Sequence, residues 1–545
     1  MLLEGYKPDK TSSKKRIGIP RGLSVFYQQF PFWRTLFEDL GFEVVLSASA
    51  NKKMLARSID LMTAETCLPI EMVFGHVDDL LNKEVDYVFL PFVVNMEADA
   101  DNPTHNCNCP WIQSHPFMIR AAYRDSELSE KLLIPTFHFR YFKRAFEKEF
   151  VEFASSSFGI SKEQSLSAIQ KAKEAQLIFN SKIRARGTEV LANLPTDKKV
   201  FVVLGRPYNT SDPALNLNLI EKLIGLNVMP VPLDFLPLDK ENIFDDYPMM
   251  YWPNGDKILR ACRIISKDER LNAVFLGNFR CGPDSFLRHY MHEEMNSKPF
   301  LHLEVDEHSA NAGMITRLEA YMDSLDGYMA KKSRPDEVAA NVAVSSLPVT
   351  ERTLYFPYAN DVIHAFAAAC RYVGMKAEVL PMPDDTDISL GRKYTNGQEC
   401  FPFISTAGSF LKKLFEPGII AQKSAFFMPA HNGPCRFGGY YKLHSLIFER
   451  LGFDDVLMIH PSNEDNYSTI APGNPLAWRT VTWKGMVAID LLRKMLQQIR
   501  PYEVSKGETN QVYEHNLQEV ISSLESGAKN LKKVLNKAAV QFKRI

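Results

Sequence analysis

The chain has 545 residues, of which 45% are hydrophobic and 24% are charged, with a formal net charge of -1. This length exceeds what one hydrophobic core supports, and the composition excludes the disordered, collagen-like and coiled-coil classes. The near-zero net charge gives no reason to expect a nucleic-acid or membrane-surface partner. Because the sequence has no apolar signal-peptide core near its start and no run of 18 uncharged apolar residues, we expect a cytoplasmic protein.

A strand, an amphipathic helix, a glycine and a second strand recur three times along the chain. The predicted strand, helix and strand lie at 16–20, 30–40 and 44–46, then at 202–207, 217–224 and 228–232, and again at 354–357, 362–372 and 377–381. Later continuous apolar strands, of the kind buried on both faces, are predicted at 87–91, 273–277 and 425–429. These repeats predict Rossmann-like, or flavodoxin-like, α/β domains with parallel sheets.

The segments between and after these repeats have helical spacing. We predict α/β domains at 1–140, 196–345 and 346–505, a helical connector at 141–195 and a C-terminal helix at 506–545. Packing is the ordinary role of amphipathic helices such as the last two segments.

Six of the eight cysteines lie in loops that contain proline or glycine rather than in apolar stripes. Cys67 and Cys400 occupy matching contexts, Glu65-Thr-Cys67-Leu-Pro69 and Gln398-Glu-Cys400-Phe-Pro402, each opening a predicted helix. The loops after the later apolar strands contain the other four: Cys107, Cys109, Cys281 and Cys435. Loops at the carboxyl ends of parallel strands form ligand sites, and helix N-termini stabilise thiolates there. The pattern predicts a metal cluster held by these six cysteines, with no basis for choosing between Cys107 and Cys109.

Other interpretations compete for the cysteines. Cys262 and Cys370 lie mid-helix among apolar residues and are interpreted as inert core residues, whereas disulfides are not expected in a reducing compartment. Zinc is the competing metal, but paired Cys-x2-Cys knuckles are absent and the candidate ligands are dispersed and nearly all sulfur. Three histidines near the cysteines could ligate, although a surface position is commoner: His105, His115 and His431.

Charged residues flank the candidate ligands. Arg280, Asp284 and Arg436 could bind a substrate or tune a cofactor, with surface ion pairing or helix capping as the equal alternative. Glu65 and Glu399 could cap a helix N-terminus or handle protons, and no catalytic residue is identified.

No nucleotide motif accompanies these residues. The chain contains neither G-x-x-x-x-G-K-[ST] nor G-x-G-x-x-G, and Gly205-Arg-Pro-Tyr-Asn209 is better interpreted as a tight turn than as a nucleotide site. Any use of ATP is therefore expected to come from a partner.

Several motifs resemble known families. Pro299-Phe-Leu-His-Leu-Glu-Val-Asp306, followed by Asn311-Ala-Gly313, resembles the signature that closes subunits of 2-hydroxyacyl-CoA dehydratases and benzoyl-CoA reductases. The cysteine motifs, together with Gly205-Arg-Pro-Tyr-Asn209, resemble the uncharacterised cysteine-rich region of large CoA-substrate-specific enzyme activase-related proteins.

The resemblance implies an iron-sulfur protein that receives low-potential electrons from a separate ATP-dependent iron-sulfur activator or reductase. The implied cofactor is a 4Fe-4S cluster or a double-cubane 8Fe-9S cluster, and the implied substrate is a small molecule or an acyl-CoA. A third α/β unit with its own Cys400 and Cys435 departs from the dehydratase subunit, so the dehydratase reaction does not simply transfer. A non-catalytic electron relay or regulatory scaffold and a zinc-stabilised binding protein are the alternatives, and a homodimer is one option for assembly.

Overall fold

The computed structural model describes residues 1–7, 14–97, 106–332, 347–431, 433–462 and 465–545. The chain divides into two units. Unit 1 comprises residues 1–338 together with 432–435, and unit 2 comprises 339–431 and 436–545.

The described residues of unit 1 form two four-stranded sheets and one two-stranded sheet, in which the paired strands are parallel. Its strands are β1 (Arg16–Ile19), β2 (Glu43–Leu46), β3 (Tyr87–Phe89), β4 (Phe92–Asn95), β5 (Leu132–Leu133), β6 (Thr136–His138), β7 (Val200–Gly205), β8 (Met229–Pro232), β9 (Leu271–Asn278) and β10 (Phe300–Val305). The strand orders are β2-β1-β3-β5, β10-β9-β7-β8 and β4-β6. Parallel neighbours need crossover connections, which the helices between them supply.

Helices occupy most of the remaining described part of unit 1. They are α1 (Leu23–Tyr27), α2 (Phe30–Asp39), α3 (Lys52–Leu61), α4 (Leu68–Leu81), α5 (Pro110–Ala122), α6 (Phe146–Phe158), α7 (Lys162–Ala192), α8 (Pro207–Thr210), α9 (Leu219–Gly225), α10 (Pro253–Lys267), α11 (Gly282–Glu294) and α12 (Asn311–Lys332). The predicted helical connector corresponds to α6 and α7, and α7 begins at a capping box formed by Ser161 and Gln164.

Continuous apolar sequence places the central strands inside the sheets. All six residues of β7 are buried, and so are seven of the eight residues of β9, its parallel neighbour. This burial is expected for strands covered on both faces. The carboxyl ends of β7 and β9 therefore lie side by side. The loops that begin at Arg206 and Phe279 start from these neighbouring strand ends.

Unit 2 contains one parallel sheet with strand order β12-β11-β13-β14. Its strands are β11 (Thr353–Phe356), β12 (Lys376–Val379), β13 (Ser424–Phe427) and β14 (Leu457–Ile459). Its helices are α13 (Ile363–Tyr372), α14 (Asp385–Lys393), α15 (Phe401–Leu414), α16 (Tyr440–Arg450), α17 (Pro475–Ile499), α18 (Glu508–Glu525) and α19 (Leu531–Phe542).

The parallel α/β fold class predicted from the sequence is confirmed. The predicted C-terminal helix is divided in two, because Gly527 and Ala528 adopt φ values of 81° and 62° between α18 and α19. Left-handed backbone of this kind ends a helix. Among the described helices, none combines the length and apolar character needed to span a lipid bilayer.

Candidate functional site

Four cysteines lie at the position that immediately precedes a helix. Cys67, Cys109 and Cys281 are the N-caps of α4, α5 and α11 in unit 1, and Cys400 is the N-cap of α15 in unit 2. A proline follows within the first two helical positions in every case, where its missing N–H is not needed. Each of these cysteines therefore lies at the N-terminus of a helix, where the free backbone N–H groups favour a negative charge.

Three of these cysteines line one cavity of unit 1. Cys67, Cys109 and Cys281 reach it from three separate loops. The rest of its lining is Leu23, Pro69, Ile70, Trp111, Ile112, Arg206, Tyr208, Asn278, Gly282 and Pro283. We call this space the cysteine cavity. Its polar groups are thus the three thiols, Arg206, Tyr208 and Asn278, set in an otherwise apolar wall.

The thiols of the cysteine cavity are poor thiolates, because burial raises their pKa values more than the nearby Arg206 lowers them. Burial, with a smaller contribution from nearby Cys109, raises the pKa of Cys67 to about 12. Burial likewise raises the pKa of Cys109, and it raises that of Cys281 well above its usual value. Binding of a metal at these thiols would therefore release protons.

A buried ion pair lies beside the thiols. Arg206, the residue after β7, is 4% exposed, and its Nη1 donates to Oδ1 of Asp284, which is 3% exposed. Burial opposes the charge of Arg206, yet the pKa of the guanidinium is raised because Asp284 and Cys281 face it. Asp284, predicted as a cofactor-binding residue, reaches the cavity through Arg206 rather than lining it.

Arg280 connects two of the cysteine loops. It has a positive φ of 65°, and its guanidinium lies 2.9 Å from Glu65 Oε2, 3.6 Å from Glu71 Oε1 and 3.3 Å from Glu307 Oε1. Its Nη1 also donates to the carbonyl oxygen of Thr66 at 3.4 Å. Arg280 is not part of the cavity lining. It precedes Cys281 and contacts the loop before Cys67, and it therefore links the two loops.

The cysteines at 107 and 109 have different environments. Cys107 is partly buried, and its backbone forms an isolated antiparallel β-bridge with Asn95. It does not line the cysteine cavity. The Cys109 Sγ accepts a hydrogen bond from the Ile112 N–H at 3.5 Å and faces the cavity. The structure therefore groups Cys109, and not Cys107, with the other thiols of the cavity.

The candidate histidines are placed elsewhere. His105 lies outside the described residues. His115 is buried, its Nδ1 lies 2.7 Å from the Ile112 carbonyl oxygen, and burial lowers its pKa to about 4. His431, in unit 2, is exposed. Neither described histidine lines the cysteine cavity.

Unit 2 has its own cysteine environment. The Cys400 Sγ lies 2.6 Å from the Tyr440 hydroxyl, while Arg436 Nη1 donates to the Gln398 carbonyl oxygen at 3.4 Å. Glu399 accepts from the backbone N–H groups of Asn396 and Gln398, so its carboxylate stabilises the loop before Cys400. Cys435 is exposed and belongs to the segment 432–435 of unit 1.

The spacing of the possible donors bears on which kind of metal group the chain could hold. Within the described parts of the chain, no three Cys, His, Asp or Glu side chains are placed to hold a single metal ion. Ligands of one tetrahedral ion must lie close together, whereas the thiolates of a polynuclear cluster are spaced by its inorganic core. The three thiols that line the cavity are donors of the type that holds a polynuclear cluster, and they do not share the geometry of a single-ion site.

Two residues of the cavity were missed in the sequence. Arg206 and Tyr208 belong to Gly205-Arg-Pro-Tyr-Asn209, for which the sequence predicts a tight turn and a family resemblance but no role for either side chain. The available indication was an arginine directly after a fully apolar strand, at the edge where α/β proteins place their ligands. A charged residue at that position indicates a functional role for Arg206 more strongly than the neighbouring turn residues do.

The fold and the cavity define a parallel α/β protein with clustered thiols at the N-termini of helices. Residues 16–236 match a family described as CoA enzyme activase uncharacterised domain, which covers less than half of the chain. The matched residues are similar to this CoA enzyme activase-related domain and include Cys67, Cys109 and Arg206. No curated protein and no solved structure has significant similarity to the chain.

Proposed function

We propose that unit 1 holds an iron-sulfur cluster through Cys67, Cys109 and Cys281. The observation that carries the proposal is that these thiols line one cavity although they are far apart in the sequence, and that each belongs to the residue that immediately precedes a helix. Helix N-termini and Arg206 supply positive potential for a thiolate-bound group that carries net negative charge. The dispersed sulfur donors favour iron over zinc.

The chain's residues would bind and insulate such a group. A cluster supplies one-electron chemistry at a potential set by charge, hydrogen bonds and exposure. Leu23, Ile70 and Ile112 exclude water from one side of the cavity, while Arg206 and Tyr208 present polar groups to it. Electron transfer therefore suits the site better than hydrolysis by an activated water.

The function that follows is that of an iron-sulfur component of a CoA-dependent dehydratase or reductase system. It would accept low-potential electrons from a separate ATP-dependent activator and pass them to a small-molecule or acyl-CoA substrate. The similarity of residues 16–236 to CoA enzyme activase-related proteins supports this setting. The chain's lack of a P-loop motif fits a role for ATP in the partner.

A second candidate function is an electron relay or scaffold without catalysis. The cysteine cavity is lined mainly by apolar side chains and backbone-stiffening prolines, which suits a cofactor more than a large substrate. A relay would keep the cluster and its redox activity but would show no turnover with acyl-CoA compounds. Turnover in the presence of the reducing partner separates the two functions.

Cysteine substitution tests the proposed ligand set. Cys67→Ala, Cys109→Ala and Cys281→Ala should each lower iron and acid-labile sulfide by more than about fivefold, because the lost thiolate leaves an iron uncoordinated. Iron, sulfide and the visible spectrum are measured on protein reconstituted without oxygen. Cys400→Ala and Cys435→Ala, measured alongside, test the six-ligand prediction.

Cys107→Ala is the matched control, since Cys107 lies two residues from Cys109 and outside the cavity lining. It should retain its iron. Full iron content in all three cavity variants, with the loss confined to Cys107→Ala, would contradict the assignment.

A further inference from the structure

The cysteine cavity contains hydrogen-bond donors that no described residue satisfies. Of the guanidinium nitrogens of Arg206, only Nη1 is engaged within the described chain, by Asp284. The Tyr208 hydroxyl likewise makes no hydrogen bond with a described residue. Both side chains line the cavity and both residues are 4% exposed. Buried polar groups are normally hydrogen-bonded, so these donors point to an occupant of the cavity.

Asp284 fixes the position of Arg206. Asp284 lies in the first turn of α11, three residues after Cys281, and Arg206 immediately follows the neighbouring strand β7. The two residues come from adjacent strand ends of one sheet, because β7 and β9 pair in parallel. The guanidinium is therefore held at a defined place beside the Cys281 thiol. Because the Arg206 side chain is already ordered, it loses little conformational entropy when the cavity fills.

The occupant must accept hydrogen bonds and tolerate positive charge. Metal-bound thiolates and inorganic sulfides are acceptors, and their group gains negative charge when it is reduced. A fixed cation nearby stabilises the reduced state more than the oxidised state, since the attraction grows with the added electron. Hydrogen bonds from Tyr208 would act in the same direction.

We propose that Arg206 and Tyr208 are positioning residues that donate hydrogen bonds to the sulfur atoms of the group held in the cysteine cavity, and that the Arg206–Asp284 pair sets its reduction potential. This inference rests on the proposed function. It assigns a role to Gly205-Arg-Pro-Tyr-Asn209 that a tight turn alone does not require.

A purely structural ion pair makes a different prediction. Arg260 and Asp256 form another buried pair in unit 1, with Nε and Oδ2 2.7 Å apart and side chains 2% and 8% exposed. Neither residue lines the cysteine cavity. Arg260→Gln is therefore a matched control for the loss of a buried guanidinium.

Redox titration of the reconstituted full chain, followed by its visible spectrum, tests the inference. Arg206→Gln should lower the reduction equilibrium constant at least tenfold, which is 59 mV for a one-electron couple. Asp284→Asn should change it in the opposite direction, because it removes a negative charge and leaves the cation. Tyr208→Phe should lower it about threefold, through a lost hydrogen bond to sulfur, and Arg206→Lys should stay within about threefold because its charge is kept.

The opposite signs for Arg206→Gln and Asp284→Asn distinguish an electrostatic role from loss of structure, which would move both variants in one direction. Unchanged potentials in iron-loaded Asp284→Asn and Tyr208→Phe would overturn the inference and leave the proposed function intact. A potential shift in Arg260→Gln as large as that in Arg206→Gln would also overturn it. Wild-type protein that takes up no iron would overturn the proposed function together with the inference.

Discussion

At the scale of single residues, the cysteines fall into groups that differ in their environment. Cys262 and Cys370 are fully buried within helices, as the sequence predicted, and Cys67, Cys109 and Cys281 face the cysteine cavity. Thiolate, not thiol, is the nucleophile and the metal ligand. Desolvation that raises the pKa of a thiol therefore suppresses its chemistry until a metal replaces the proton.

Alkylation rates test this division in metal-free protein. Cys435 is exposed and should react with iodoacetamide at least about tenfold faster than Cys67, whose pKa is raised to about 12 by burial. Mass spectrometry of peptides gives the rate at each position. Fully buried Cys262 is the internal control for inaccessibility, and labelling of Cys67 as fast as Cys435 would contradict the described environment.

The same scale shows what sequence reasoning could reach. Cysteines near prolines were recognised as candidate ligands because their loops stood out from apolar stripes. Arg206 was not, since an arginine after a strand has no special periodicity. The pairing of Arg206 with Asp284 depends on which strands are neighbours in the sheet, and spacing along the chain does not contain that information.

At the scale of secondary-structure elements, periodicity in the sequence indicates where helices and strands lie, whereas left-handed backbone decides where one helix ends. The apolar strands and their following helices were predicted within a few residues, because both have clear periodicity. The break between α18 and α19 was missed, since it depends on left-handed backbone at Gly527 and Ala528. The Tyr372 ring packs where a Gly527 side chain would lie, so this turn is set by a contact distant in sequence.

Helices α14 and α15 of unit 2 approach closely at two glycines. A Cβ added to Gly408 would lie 1.7 Å from the Asp387 carbonyl oxygen, and one added to Gly391 would lie 2.0 Å from the Ile404 carbonyl oxygen. We expect Gly408→Ala to lower the free energy of unfolding by about 3 kcal/mol or more, because backbone must move. Thermal unfolding followed by circular dichroism measures the change.

Gly473→Ala is the control in the same unit, because nothing lies within 4 Å of the added methyl group. It should change the melting temperature little. Equal stability of Gly408→Ala and wild type would show that the two helices are less closely packed than described.

At the scale of the whole molecule, the chain combines repeated parallel α/β sheets with thiols at helix N-termini. The fold class follows from the repeated strand and helix pattern, whereas the grouping of Cys67, Cys109 and Cys281 needed the three-dimensional structure. Residues 16–236, which lie in unit 1, are similar to the CoA enzyme activase uncharacterised domain. All six cysteines stay predicted ligands, including Cys107, which does not line the cavity, Cys400 in unit 2, and Cys435.

The central claim is that the cysteine cavity holds an iron-sulfur cluster. The most direct test is to measure iron, zinc and acid-labile sulfide together in wild-type protein purified without oxygen. The account predicts about four or more irons per chain with an equal amount of sulfide and little zinc. Iron-free protein after anaerobic reconstitution, or one zinc per chain without sulfide, would contradict it.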